Sequence, residues 1–501
     1  MATTEAATGS WLDRLWSTVA DRGRLHPRVP EASTPPLDRA RRLAEALLSE
    51  RGEASGAAVA RELHAALRAL DAGGRAALYR FLAEGFGPDE GRLRAAAEAW
   101  LAGPSPERAT RLAEAAEPPR QELLRRMNMA PGGTAALVAM REELLRLGRD
   151  HPEVRPLEAD LKHLLTSWFN RGFLELRRID WQTPAAVLEK LIAHEAVHEI
   201  RGWDDLRRRL AADRRCLGFF HPALPGEPLI FVQVALTEGL AAAVQPLLAR
   251  DEACEDPTQA CTARADTAVF YSISNCQEGL RGISFGNFLI KQVVEDLKAE
   301  LPHLRRFATL SPVPGFRRWL ERRLPGGEEG DVEGDGRTAL LRKEERAPLL
   351  SALGDGTGGG DDAAAALAAL LKAERWWEDP ARAEALRGPL VRLCAEYLAA
   401  AGGGRGPGDP VARFHLGNGA RLERVNWLGN VSPRGIRESC GLMVNYLYDP
   451  EAIEANHEAF VRAGAVARGP LVDALLAPPR PRGPAGRRPP VPARPATARG
   501  E

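Results

Sequence analysis

The pentapeptide His194-Glu195-Ala196-Val197-His198 has the H-E-x-x-H spacing, in which two imidazoles one helical turn apart hold zinc and the glutamate activates a water. The surrounding stretch, 184–210, carries a helical pattern, so the geometry is available to it. Three features speak against a metal. The charged Glu199 follows the second histidine, the same face runs into Arg207-Arg208-Arg209, and no third-ligand motif lies downstream. The segment is therefore expected to be an ordinary helix with no metal bound.

A second candidate is the turn Cys276-Gln277-Glu278-Gly279-Leu280-Arg281-Gly282-Ile283-Ser284-Phe285-Gly286-Asn287. It separates a strand-like run, 268–274, from a helical pattern with Leu289, Val293 and Leu297 on one face. Glycines ahead of a helix N-terminus let backbone N–H groups turn inward, and the helix dipole favours an anion, so phosphate or pyrophosphate is the natural guest. The spacing is neither G-x-G-x-x-G nor a P-loop, and an ordinary glycine-rich connection is the alternative. The order of strand, Gln/Arg-rich glycine turn and helix resembles the acyl-CoA-binding folds of the GNAT type, although their usual Q/R-x-x-G-x-G/A spacing is not cleanly reproduced.

The elements that must position these groups follow from periodicity. From 37 to about 150 the chain reads as successive helices: Val59, Leu63, Leu67 and Leu70 repeat at helical spacing, as do Leu137, Met140, Leu144 and Leu147. Texture changes after Trp168. Residues 172–177 look like a first strand, 217–222 and 229–234 like a hairpin, 268–274 like a further strand and 287–301 like the helix after it. The fold class is an all-helical N-terminal domain followed by a mixed α/β domain. The expected division is an extension over 1–36, a helical bundle over 37–165 serving packing or oligomerisation, and a catalytic domain over 166–475. Gly-rich stretches at 325–361 and 402–409 read as flexible insertions, strand-like sequence resumes at Val411, and the Pro/Arg-rich tail over 478–501 reads as disordered.

Composition narrows the function. Across 501 residues Lys plus Arg number 68 and Asp plus Glu 68, a balance that removes the electrostatic case for nucleic acid or an anionic membrane as partner. No run approaches the ~20 apolar residues of a membrane helix. Six cysteines without a C-x-x-C pair fit a reducing compartment rather than a disulfide framework.

Several longer motifs then point the same way. Thr309-Leu310-Ser311-Pro312-Val313-Pro314-Gly315-Phe316, Arg413-Phe414-His415-Leu416-Gly417-Asn418-Gly419-Ala420 and Ser439-Cys440-Gly441-Leu442-Met443-Val444-Asn445-Tyr446 occur in this order. Together with Phe270-Tyr271-Ser272-Ile273-Ser274 and Phe288-Leu289-Ile290-Lys291, they make the chain from about 120 to 460 closely resemble the malonyl-CoA decarboxylase family. The resemblance implies a helical domain followed by a GNAT-like catalytic domain, and a catalytic pair at Ser311 and His415. It also implies CoA-phosphate contacts along Arg281, Gly282, Ile283, Ser284, Phe285, Gly286 and Asn287. It further implies a homo-oligomer, a tetramer, with malonyl-CoA as substrate. The C-terminus, Arg499-Gly500-Glu501, lacks the S-K-L address of some members, which suggests a cytoplasmic enzyme.

The implied reaction needs no cofactor, because the thioester itself accepts the electrons left on C2 when CO2 departs. His415 is the expected proton donor, since imidazole titrates near neutrality. Ser311, in a proline-restrained turn, is suited to hydrogen-bond the carboxylate or the nascent enolate. Tyr446 and Tyr448 are candidate supporting partners. Two other classes stay open: a GNAT-type acyltransferase using the same CoA turn, and a malonyl-CoA sensor that binds without turnover.

Overall fold

A computed structural model describes residues 35–49, 53–249, 260–283, 289–325, 340–353, 362–400 and 408–478. The expectations for 1–34, for most of the 325–361 and 402–409 stretches, and for the tail from 479 lie outside the described residues. Among the described residues, no helix is long and apolar enough to cross a membrane.

The chain forms two compact units, 1–311 and 312–501. The described part of the first begins with the helices α1 (Pro36–Leu48), α2 (Glu53–Ala69), α3 (Ala72–Gly85), α4 (Glu90–Ala102), α5 (Pro106–Ala116), α6 (Pro119–Asn128), α7 (Gly133–Leu147) and α8 (Arg155–Trp168). Their starts are locally encoded. Asp71, Asp89 and Ser105 each accept a hydrogen bond from the amide three residues on, as N-caps do. The apolar stripes read from the sequence face inward: Leu63 and Leu67 on α2, Leu70 just past its end, and Leu137, Met140 and Leu144 on α7 are all buried.

Strand β1 (Glu175–Ile179) begins later than expected, because Arg171–Phe173 closes a 3₁₀ turn first. It pairs antiparallel with β2 (Arg214–Phe220), which pairs antiparallel with β3 (Pro228–Thr237), and β3 does so with β4 (Thr267–Asn275). Strand β5 (Arg306–Thr309) runs parallel to β4. Parallel pairing needs a crossover, here supplied by a helix over Leu289–Glu300. The hairpin, the 268–274 strand and this helix all form where periodicity placed them.

One expectation fails in this unit. The helix foreseen over 184–210 is broken: α9 (Ala185–His194) stops at His194, and α10 (Trp203–Arg209) starts afresh. The Glu195 carboxylate accepts from the amides of Val197 and His198 at 2.8 and 2.9 Å, a local alternative that competes with continuing the helix. Compactness divides the chain at 311/312, a different kind of division from the helical-to-α/β boundary expected at 165/166. Arg141 on α7 bonds to carbonyls of the turn after β4, so the helical region and β1–β5 form one body.

In the second unit, α11 (Phe316–Arg323), α12 (Lys343–Leu353), α13 (Ala363–Lys372) and the 20-residue α14 (Pro380–Ala399) precede α15 (Pro410–Gly417). An antiparallel pair follows, β6 (Arg421–Asn426) with β7 (Met443–Leu447), with α16 (Pro433–Ser439) between its strands and α17 (Ile453–Ala463) after them. Part of the supposed insertion is well packed. Leu341 and Leu349 are buried, and Glu345 on α12 takes two 2.6 Å bonds from the buried Arg392 of α14. Strand does not resume at Val411 either. Asp409-Pro410 starts a helix, with Asp409 buried as its N-cap and Pro410 at its first turn.

Candidate active site

His415 sits in the last turn of α15 and is buried. Asp409 holds the start of that helix: one carboxylate oxygen accepts from Val411 and Ala412, and the other accepts from the Gly315 amide at 3.1 Å. The LSPxPGF motif and the FHLxNGA motif are thereby joined through one carboxylate. At the other end the Ala420 amide donates to the His415 carbonyl at 3.1 Å. Gly419 turns the chain at φ +80°, where a Cβ would overlap the carbonyl oxygen of Ile453.

The imidazole meets two tyrosines from β7 and its end. Nδ1 of His415 and the Tyr448 hydroxyl are 2.8 Å apart and share a hydrogen, while the Tyr446 ring stacks on the imidazole at 4.7 Å and 26°. Residues two apart on extended chain present the same face, which is why both reach one ring. Burial pulls the His415 pKa down to about 3 and pushes both tyrosine hydroxyls well above their usual range. The expectation that His415 titrates near neutrality therefore fails. At pH 7 the resting ring is neutral, and it offers an N–H hydrogen bond rather than a positive charge.

Ser311 is the last residue of the first unit. It is buried and donates from Oγ to Thr309 Oγ1 at 2.9 Å. The preceding residue is tied to the sheet by Leu310 N–H donating to the Phe270 carbonyl at 2.8 Å. Ser311 lies in extended chain, not in the proline turn expected, because the turn comes later, at Pro314-Gly315. What carries the hydroxyl is extended chain two residues past the end of β5.

The glycine turn leaves β4 through a 3₁₀ segment, Glu278–Leu280. Gly279 lies directly on α7: a Cβ there would overlap the Val138 carbonyl oxygen. Arg141, nearly wholly buried, donates to the Gly279 carbonyl at 2.6 Å and the Arg281 carbonyl at 2.9 Å, with Glu158 beside it at 2.8 Å. Arg281 projects outward and pairs with Glu278 at 3.3 Å. Gly282 is left-handed at φ +76°, and Ile283 is buried. Ser284, Phe285, Gly286 and Asn287 lie outside the described residues. Asp409 had a local sequence signal, the Asp-Pro pair at a helix start. Arg141 had none, since it lies 138 residues from Gly279.

The H-E-x-x-H segment does not form the pair of histidines one helical turn apart. His194 ends α9, exposed, while His198 lies beyond the break, buried. Glu195 is engaged elsewhere: Gln233 donates to it at 2.6 Å and Ser272 at 2.7 Å, in addition to the two local amides. Arg209 and the Tyr271 hydroxyl in turn donate to Gln233 Oε1 at 3.0 and 2.8 Å. The chemistry of this half-buried carboxylate is that of a multiply bonded acceptor tying the end of α9 to β3 and β4.

Comparison with known proteins agrees over both units. Residues 86–169 match the family model of the malonyl-CoA decarboxylase N-terminal domain, and 172–483 match that of the C-terminal domain. The goose protein "Malonyl-CoA decarboxylase, mitochondrial" (Anser anser anser) is 39% identical over 410 residues, 79% of this chain and 78% of the relative. The rat protein of the same description (Rattus norvegicus) is 37% identical over 424 residues, 81% of this chain and 82% of its own. Among solved structures, malonyl-CoA decarboxylase from Rhodopseudomonas palustris is 51% identical with a TM-score of 0.76. The alignment covers 88% of this chain and all of that one. The enzyme from Agrobacterium vitis is 48% identical with a TM-score of 0.75 over the same shares.

Proposed function

Since the chain belongs to the malonyl-CoA decarboxylase family, we propose that it converts malonyl-CoA to acetyl-CoA and CO2, with neutral His415 and Ser311 as its working side chains. The single observation that carries the role of His415 is its environment: a buried imidazole fixed by Tyr448 on Nδ1 and stacked on Tyr446.

Breaking the C–C bond to the carboxylate leaves an electron pair on C2, delocalised into the thioester carbonyl as an enolate. The protein must hold the carboxylate out of the carbonyl plane, stabilise the developing oxyanion and deliver a proton to C2. Each well-placed donor to the oxyanion contributes about 100-fold or more. A neutral imidazole with its other nitrogen engaged by Tyr448 is such a donor. A thioester enolate is a stronger base than deprotonated imidazole, so the same N–H can also pass its proton to C2. Ser311, just past the end of β5, turns its one O–H from Thr309 Oγ1 to the substrate carboxylate and so orients it. No acyl-enzyme is needed, and no cofactor is called for. The turn through Arg281, Gly282 and Ile283, continuing over 284–287, is assigned to the CoA phosphates.

The test is incubation of the pure protein with malonyl-CoA in heavy water. The expected products are CO2 and acetyl-CoA with deuterium on the methyl carbon. Transfer of the acyl group to an added amine without CO2 would favour an acyltransferase, and binding without turnover a sensor. The proposal includes a homotetramer, checked by light scattering, and a cytoplasmic location, checked by fractionating the source cells.

A further inference from the structure

We infer that the helical region builds part of the substrate site, with Lys162 of α8 contacting a CoA phosphate and Arg141 of α7 positioning the turn that receives it. The inference rests on the assignment of the glycine turn to the CoA phosphates.

A turn that receives an anion must keep its carbonyl oxygens, the negative ends of its peptide dipoles, away from the guest. Here two of them, on Gly279 and Arg281, are drawn to one buried guanidinium at 2.6 and 2.9 Å. Arg141 is itself held by Glu158 of α8, so its charge is balanced and its planar fork is fixed in direction. With Gly279 seated against Val138, the turn has no freedom to rotate those carbonyls outward. Arg141 faces the protein side of the turn and is too buried to touch a ligand.

The outward side carries a second cation from the same pair of helices. The direction a side chain would take from Gly282, the left-handed residue of the turn, leads to the Lys162 ammonium, 3.9 Å from the ideal Cβ position. Lys162 is exposed on α8, one turn along the same helix from the Arg141 partner Glu158. Among the described residues only the Lys162 ammonium comes within 4 Å of that Cβ position, so a phosphate oxygen between them could be bound by both the backbone and the ammonium. A compact ammonium on a flexible stem is suited to such a point contact.

The test compares malonyl-CoA with malonyl-pantetheine, which has the same reacting atoms and no phosphates. In Lys162→Ala, KM for malonyl-CoA should rise about ten-fold or more, with kcat and the pantetheine kinetics unchanged. Added salt should raise KM less steeply in the variant than in the wild type. Arg141→Lys keeps a cation but loses the fork, so it too should raise KM for malonyl-CoA selectively. A merely structural role would instead lower Tm and impair both substrates alike. A wild type that prefers malonyl-CoA, with Lys162→Ala keeping the full preference, overturns the inference and leaves the turn assignment standing. A wild type that handles both substrates with equal KM overturns the turn assignment itself.

Discussion

Lowering the pH from 7.5 to 5.5 should destabilise the second unit through His415. When folded, the ring is held neutral by burial, with a pKa of about 3, against 6.5 for an ordinary histidine. Between those values the unfolded chain binds a proton that the folded chain refuses. Stability contributed by the neutral ring is thus fully present above 6.5 and falls as pH drops, levelling off only below about 3. At pH 5.5, one unit below the unfolded value, the loss is about 1 to 2 kcal/mol. The unfolded pKa alone sets that figure, provided the folded ring stays neutral at pH 5.5. His64 and His221 are also lowered by burial and act in the same direction, so the wild type must be compared with His415→Gln, whose amide can still bond the Tyr448 hydroxyl. Hydrogen exchange resolved at the β6 and β7 amides reports opening of the second unit specifically. Between the two pH values the wild type should lose about 1 to 2 kcal/mol more protection than the variant. Equal losses, or an NMR titration placing His415 near 6.5, would refute both the buried neutral ring and its role as an uncharged donor.

Gly279→Ala would drive a methyl group into the Val138 carbonyl and should cost about 1 to 3 kcal/mol of stability in the first unit, read by urea unfolding, while raising KM for malonyl-CoA. Asp409→Ala removes the cap of α15 and strands the Gly315 amide, for a combined loss of about 2 to 4 kcal/mol and a fall in kcat; Asp409→Asn, which can keep the cap, should recover part of the stability. Ser311→Ala and His415→Ala should each cut turnover while largely sparing substrate affinity. If they act on one transition state, the double variant will be far less than multiplicatively impaired, and independent multiplicative losses in kcat would separate their roles.

Much of the architecture was legible because its signals are local. Leucine spacing on α2 and α7 and the β-branched hairpin strands each depend on residues within a few positions of one another. The proposal of Ser311 and His415 rests on signals of the same local kind, since each belongs to a short contiguous motif. Where local signals competed, the reading went astray. Glu195 bonds its own neighbours and stops a helix that periodicity would continue, and Asp409-Pro410 starts one where strand-like composition follows. Tertiary structure alone decided the state of the chemistry. His415 is neutral because the fold buries it and brings Tyr448 to its Nδ1 from 33 residues away, and Arg141 reaches the glycine turn across 138 residues. Desolvation and long-range hydrogen bonding are sums over everything packed around a group, so residue type and spacing determined which side chains could react, while packing determined their protonation and direction.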